Sequence, residues 1–128
     1  MISHKFKFIF IHVPKCGGTS VMEALHGYYD RWLGHEIPRG IKKKIKSRNF
    51  YVFTCVRNPW SRAVSNYCYA QKKKSYWHSD DGSTEYDTHS DYNIVKDITF
   101  EDYIYLLSRD EIESVHTRSQ YSFLKHHI

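Results

Sequence analysis

Apolar positions near the start of the chain define its first element. Residues 6–13 read Phe-Lys-Phe-Ile-Phe-Ile-His-Val. Phe8, Ile9, Phe10, Ile11 and Val13 are β-branched or aromatic, and the run is too continuous for a strand with one wet face. It predicts a parallel strand covered on both sides. Pro14 ends it, because proline donates nothing to a ladder. A second run, Phe50 to Val56, has the same character. It predicts a strand parallel to the first, and the crossover between them is long enough for a helix.

Helical periods fill the spaces between these runs. Val21, Met22, Leu25 and Tyr28 form an apolar stripe that predicts a core-facing helix from Ser20 to Tyr29, ending between Tyr29 and Leu33. Gly34-His35-Glu36-Ile37-Pro38-Arg39-Gly40 reads as a loop, and Ile41 to Lys46 as a short basic helix. Asn58 is a good N-cap and Pro59 suits the first helical position, so a helix is expected from Pro59 to about Gln71. Thr99, with an acid three residues on, starts a helix whose stripe of Phe100, Tyr103, Ile104 and Leu107 runs to about Ser108. Lys72 to Asn93 is polar, and Ser75 to Asp91 reads as a long irregular loop. Its acids lack the alternation and closing Glu of a calcium loop. Asp110 to Ile128 is weakly patterned. The 128 residues predict a single domain, 1–128.

Composition narrows the partners. The net charge of +5 favours anionic ligands such as nucleotide phosphates, sulfated sugars or nucleic acid. The lysine runs at 42–46 and 72–74 read as solvated faces. The eleven tyrosines offer flat surfaces for a base or sugar, although half-buried packing explains most of them. No RNA-binding signature accompanies the charge, so no nucleic-acid partner is expected. Cys16, Cys55 and Cys68 are odd in number and lack metal-ligand spacing, which fits a reducing compartment; Cys55 is expected to be buried. Lys5 and Lys7 interrupt the apolar start, and no run approaches the roughly 20 apolar residues of a membrane span. The expectation is a cytoplasmic chain without a membrane span.

The candidate chemistry sits where the first strand ends. Pro14-Lys15-Cys16-Gly17-Gly18-Thr19-Ser20 combines a cation, two glycines that allow close approach, and two hydroxyls at a helix start. Strand, glycine turn and helix N-terminus together make a phosphate cradle. Its order differs from the common nucleotide loop, in which the lysine follows the glycines. Arg57 ends the second strand, at the rim where ligands of open α/β sheets bind. Its guanidinium and the Ser65 hydroxyl on the following helix suit a second phosphate.

These two stretches, Pro-Lys-x-Gly-Gly-Thr-Ser and Arg57-Asn-Pro-x-x-Arg62-x-x-Ser65-x-Tyr67, resemble the 5′-phosphosulfate loop and 3′-phosphate site of sulfotransferases that use 3′-phosphoadenosine 5′-phosphosulfate (PAPS). Gly34-His35 resembles a segment of the carbohydrate branch. Thr99 to Tyr103 resembles a family helix start, and His116 to Phe123 a family His-x-x-x-Gln stretch. The resemblance implies an α/β fold: a three-layer, P-loop-NTPase-like core with a central parallel sheet flanked by helices. It implies sulfuryl transfer from PAPS to a hydroxyl acceptor, in the first place a carbohydrate, without a metal. Lys15 would stabilise the leaving phosphate, and Lys15, Cys16, Gly17, Gly18, Thr19 and Ser20 would hold the 5′ end. Arg57 and Ser65 would hold the 3′-phosphate. His35 is the first choice of base, with Glu36 the alternative. His12 is expected to make a structural hydrogen bond. Family members usually continue beyond the equivalent of Ile128, so a non-catalytic module binding PAPS or its product, 3′-phosphoadenosine 5′-phosphate (PAP), stands beside the enzyme.

Overall fold

A computed structural model describes residues 1–35, 41, 43, 49–72, 89 and 91–125. The expected basic helix at 41–46 and the irregular loop at 75–91 fall mostly outside these residues, and Glu36 lies outside them altogether. The chain divides into two compact units, one of Met1–Arg57 with Ser119–Ile128 and one of Asn58–Arg118.

The first unit is built on a three-stranded mixed sheet. Strand β1 is Ile2–Ser3, β2 is Phe8–Ile11 and β3 is Tyr51–Thr54, in the order β1-β2-β3. β2 and β3 are parallel, with Phe8 opposite Tyr51 and Ile11 opposite Thr54. The helix α1, Gly18–Ala24, lies in the crossover between them. β1 is antiparallel to β2, pairing Ile2 with Ile9, so the sheet is not wholly parallel.

Alternation along the strands gives the sheet two chemically different faces. Ile2 and Ile9 pack with Ile41 on one, joined by Leu33, Phe50 and Val52. Phe8, Phe10, Tyr51 and Phe53 share the other, with Phe10 and Phe53 centroids 5.2 Å apart. β2 is buried from Ile9 to Ile11, as its continuous apolar run predicts. β3 has no strand beyond it among the described residues, and it is only half-buried, with Tyr51 exposed. It stops at Thr54 rather than Val56, and Cys55 is half-buried.

The helix α1 differs from its sequence expectation at both ends. It begins at Gly18, following Gly17 in the left-handed region at φ 82°. It ends at Ala24, where three-residue hydrogen bonds from His26 to Glu23 and from Tyr28 to Leu25 replace the helical pattern. Gly27, at φ 82°, takes the chain out of helical geometry. Val21, Met22 and Leu25 are half-buried and Tyr28 is exposed, so this stripe is less buried than its spacing suggests.

The second unit is helical: α2 is Pro59–Ala70, α3 is Tyr92–Val95 and α4 is Phe100–Ser108. The Asn58 side chain accepts from the amides of Trp60 and Ser61, capping α2 as expected. Thr99 and Asp102 cap α4 reciprocally. Ala70, Val95, Tyr103 and Ile112 form the core, with Tyr67 and Phe100, edge to face with one another, packed against it. Two polar anchors run through it. Arg62 is 8% exposed and donates to the carbonyls of His116 and Arg118, each at 2.9 Å. Asn66 donates to the Tyr103 hydroxyl at 2.8 Å. In the first unit, Ser119 caps a short helix α5, Gln120–Leu124, which the weak C-terminal pattern does not reveal. Among the described residues no helix is long and apolar enough to cross a membrane.

Candidate active site

β2 and β3 end at the same rim because they run parallel and in register. The Thr54 hydroxyl donates to the Ile11 carbonyl at 2.8 Å and ties the two strand ends together. Beyond β2 the chain turns through Pro14–Gly17 into α1. Lys15 adopts φ 63° and Gly17 φ 82°, two left-handed residues flanking Cys16. Such a conformation costs a lysine energy and marks a tightly specified turn. No side chain caps the first-turn amides of α1, and they follow a turn that also carries Lys15, with Thr19 half-buried and Ser20 exposed.

Arg57 arrives at this turn from the end of β3. One guanidinium nitrogen, Nη1, lies 3.5 Å from the carbonyl oxygen of Lys15. The structure thus brings Lys15, Cys16, Gly17, Gly18, Thr19, Ser20 and Arg57 to one place. The backbone of Arg57 is held by Gln120 from α5. Its N–H donates to Gln120 Oε1 at 2.9 Å, and its carbonyl accepts from Gln120 Nε2 at 2.7 Å. The Cys16 thiol donates to the same Oε1 at 3.2 Å. The His-x-x-x-Gln pattern places Gln120 in a family-like stretch without giving it a role. Its partners are 63 and 104 residues away along the chain, beyond the reach of any local pattern.

Behind the turn lies a ring cluster that the sequence does not reveal. Phe8 and Phe10 point to the aromatic face of β2, and His12, the next residue in that alternation, follows them. The His12 ring centroid lies 4.4 Å from that of His35 and 4.9 Å from that of Trp32, both in tilted arrangements. It also lies against the α-carbon of Gly18, where a β-carbon would sit 2.0 Å from Cδ2 and Nε2. Glycine is required here for packing, independently of any ligand. The expected structural hydrogen bond from the His12 ring is not the arrangement found: Nδ1 is buried without a partner among the described residues. Burial first, and the neighbouring His35 second, push its pKa down from 6.5 to about 3. Burial also lowers the pKa of His35, opposed in part by a backbone hydrogen bond involving His12. Burial thus favours the neutral form of both rings, the form that can accept a proton, and also weakens them as bases.

Ser65 lies on α2 in the second unit, half-buried and one turn beyond the exposed Ser61, flanked by the buried Arg62 and Asn66. The arginines of the second motif have separate surroundings. Arg57 is exposed and lies three residues beyond the end of β3, not at the strand end the sequence suggests, whereas Arg62 is buried and binds backbone carbonyls.

A strand, a lysine-bearing glycine turn and a helix start without a side-chain cap, with an arginine beyond the end of the parallel strand, make an α/β arrangement of a kind suited to an anionic group. The family comparison agrees with this geometry. The sulfotransferase family model matches residues 1–127, and the chain belongs to the sulfotransferase family. Sulfuryl transfer is the chemistry of that family. Neither the curated proteins nor the solved structures gave a match.

Proposed function

We propose that this protein transfers a sulfuryl group from PAPS to a hydroxyl acceptor of carbohydrate type. The observation that carries the reading is the meeting of Arg57 with the Lys15 turn, beyond the paired ends of β2 and β3. Two cations at one rim, on backbones fixed by a tight turn and by Gln120, suit a ligand with two anionic ends. The Lys15 ammonium and the amides of Cys16, Gly17, Gly18 and Thr19 take the 5′-phosphosulfate, with the Thr19 and Ser20 hydroxyls completing the cradle. Arg57 takes the 3′-phosphate, and Ser65 is its hydroxyl partner on the strength of the sequence motif. The parallel β2-α1-β3 unit is read as part of a three-layer, P-loop-like core.

In the reaction, the acceptor oxygen attacks sulfur as the bond from sulfur to the phosphate oxygen breaks. The acceptor proton passes to a base, and PAP leaves with the electron pair of the broken bond. By analogy with phosphoryl transfer the transition state is loose, so positioning and charge neutralisation dominate. Lys15 neutralises the charge that develops on the leaving phosphate. His35 is the base: burial favours its neutral form, and its ring packs beside that of His12, which itself packs on Gly18 of the turn. Glu36, its neighbour in sequence, is the alternative. PAPS breakdown, with and without a panel of carbohydrate acceptors, tests the reading. Turnover that is lost in Lys15→Ala is expected. PAPS binding without turnover on any acceptor would instead make the chain a binding module.

A further inference from the structure

We propose that Gln120 is a positioning residue that sets the arginine for the 3′-phosphate, locking the backbone of Arg57 to the 5′-phosphosulfate turn. The inference rests on the PAPS reading above and adds to it a residue that touches neither phosphate. After β3 ends at Thr54, residues 55–58 have no ladder to hold them. The Gln120 carboxamide supplies one. It accepts from the Arg57 N–H and donates to the Arg57 carbonyl, at 2.9 and 2.7 Å, as the peptide group of a neighbouring strand would. Of the side chains, only an amide presents a donor and an acceptor in this planar arrangement at once.

The same Oε1 takes the Cys16 thiol at 3.2 Å, so one oxygen joins the turn that bears Lys15 to the residue that bears the guanidinium. Fixing N–H and carbonyl together fixes the peptide planes on both sides of the Arg57 α-carbon, and with them the direction of its side chain. A side chain that holds another functional group in its productive geometry acts on ligand discrimination more than on stability.

The test is calorimetry of PAP and ADP binding to the full chain carrying Gln120→Met or Gln120→Glu. Methionine keeps the length and loses both polar partners. Glutamate keeps the acceptor and loses the donor. In Gln120→Met the affinity for PAP should fall about tenfold while that for ADP, which has no 3′-phosphate, changes less than about twofold. Gln120→Glu sets a carboxylate oxygen against the Arg57 carbonyl, so its PAP-to-ADP affinity ratio should fall at least as far, and it decides the question if Gln120→Met does not fold. An unchanged PAP-to-ADP ratio in the folded variants overturns the inference. So does an equal loss for both ligands, which would make Gln120 a general support of the turn. The wild-type ratio reports separately on the PAPS reading: with no preference for PAP, that reading fails and the role of Gln120 with it.

Discussion

The ring of His12 fills the space in front of the Gly18 α-carbon, so the effects of substituting the two residues are coupled. A β-carbon on Gly18 would lie 2.0 Å from two atoms of the imidazole, far inside van der Waals contact. Gly18→Ala should therefore displace the ring or the turn, costing about 1–3 kcal/mol as an overpacked site. Urea denaturation would measure it. In the double variant His12→Ala/Gly18→Ala the added methyl has room, so the loss should be well below the sum of the two single losses. Strict additivity would show that the contact is not the reason for glycine.

Burial of His12 makes stability depend on pH. Its folded-state pKa is about 3 against an ordinary 6.5, so between these values the unfolded chain binds the proton that the folded chain refuses. The contribution of neutral His12 is fully present above pH 6.5 and declines as pH falls through this window toward 3. His35 shifts in the same direction. Urea midpoints between pH 7 and 4 should decline less steeply in His12→Phe than in wild type.

The two motif arginines should separate cleanly by assay. Arg62→Ala removes two hydrogen bonds from a buried guanidinium to the His116 and Arg118 carbonyls, and should cost roughly 2–4 kcal/mol. Lysine cannot reach both carbonyls with a planar fork, so Arg62→Lys should not restore the loss. Arg57→Ala, at an exposed site, should change thermal stability little and ligand binding strongly. A melting-temperature series alongside binding checks both.

Thr99 and Asp102 form the reciprocal cap of α4, with the Asp102 amide bonded to Thr99 Oγ1 at 3.2 Å. Thr99→Ala should destabilise by about 1 kcal/mol, read from the urea midpoint, without altering ligand affinity.

The elements that the sequence revealed are those whose causes are local. Asn58 and Thr99 announce their helices because a cap and the amides it satisfies lie within three residues. β2 announces itself through an unbroken apolar run, and its parallel partner through a second one. β1 is two residues long and is defined by pairing with β2, which no short pattern encodes. α1 is shorter than its stripe because left-handed Gly27 and three-residue bonds end it early. The Lys15 turn was legible because its motif is contiguous. Gln120 and the contact of His12 with Gly18 were not, since each depends on tertiary packing: a side chain from a distant helix in one case, and a face of the sheet continuing past its last strand residue in the other.

Calorimetric titration of the full chain with PAP and with ADP tests the central claim most directly. Both ligands carry an adenosine and a 5′-phosphate end, and only PAP carries the 3′-phosphate that Arg57 is assigned to hold. PAP should bind about tenfold more tightly or better, and Arg57→Ala should remove the difference. Equal affinity of the wild-type protein for the two ligands would contradict that claim.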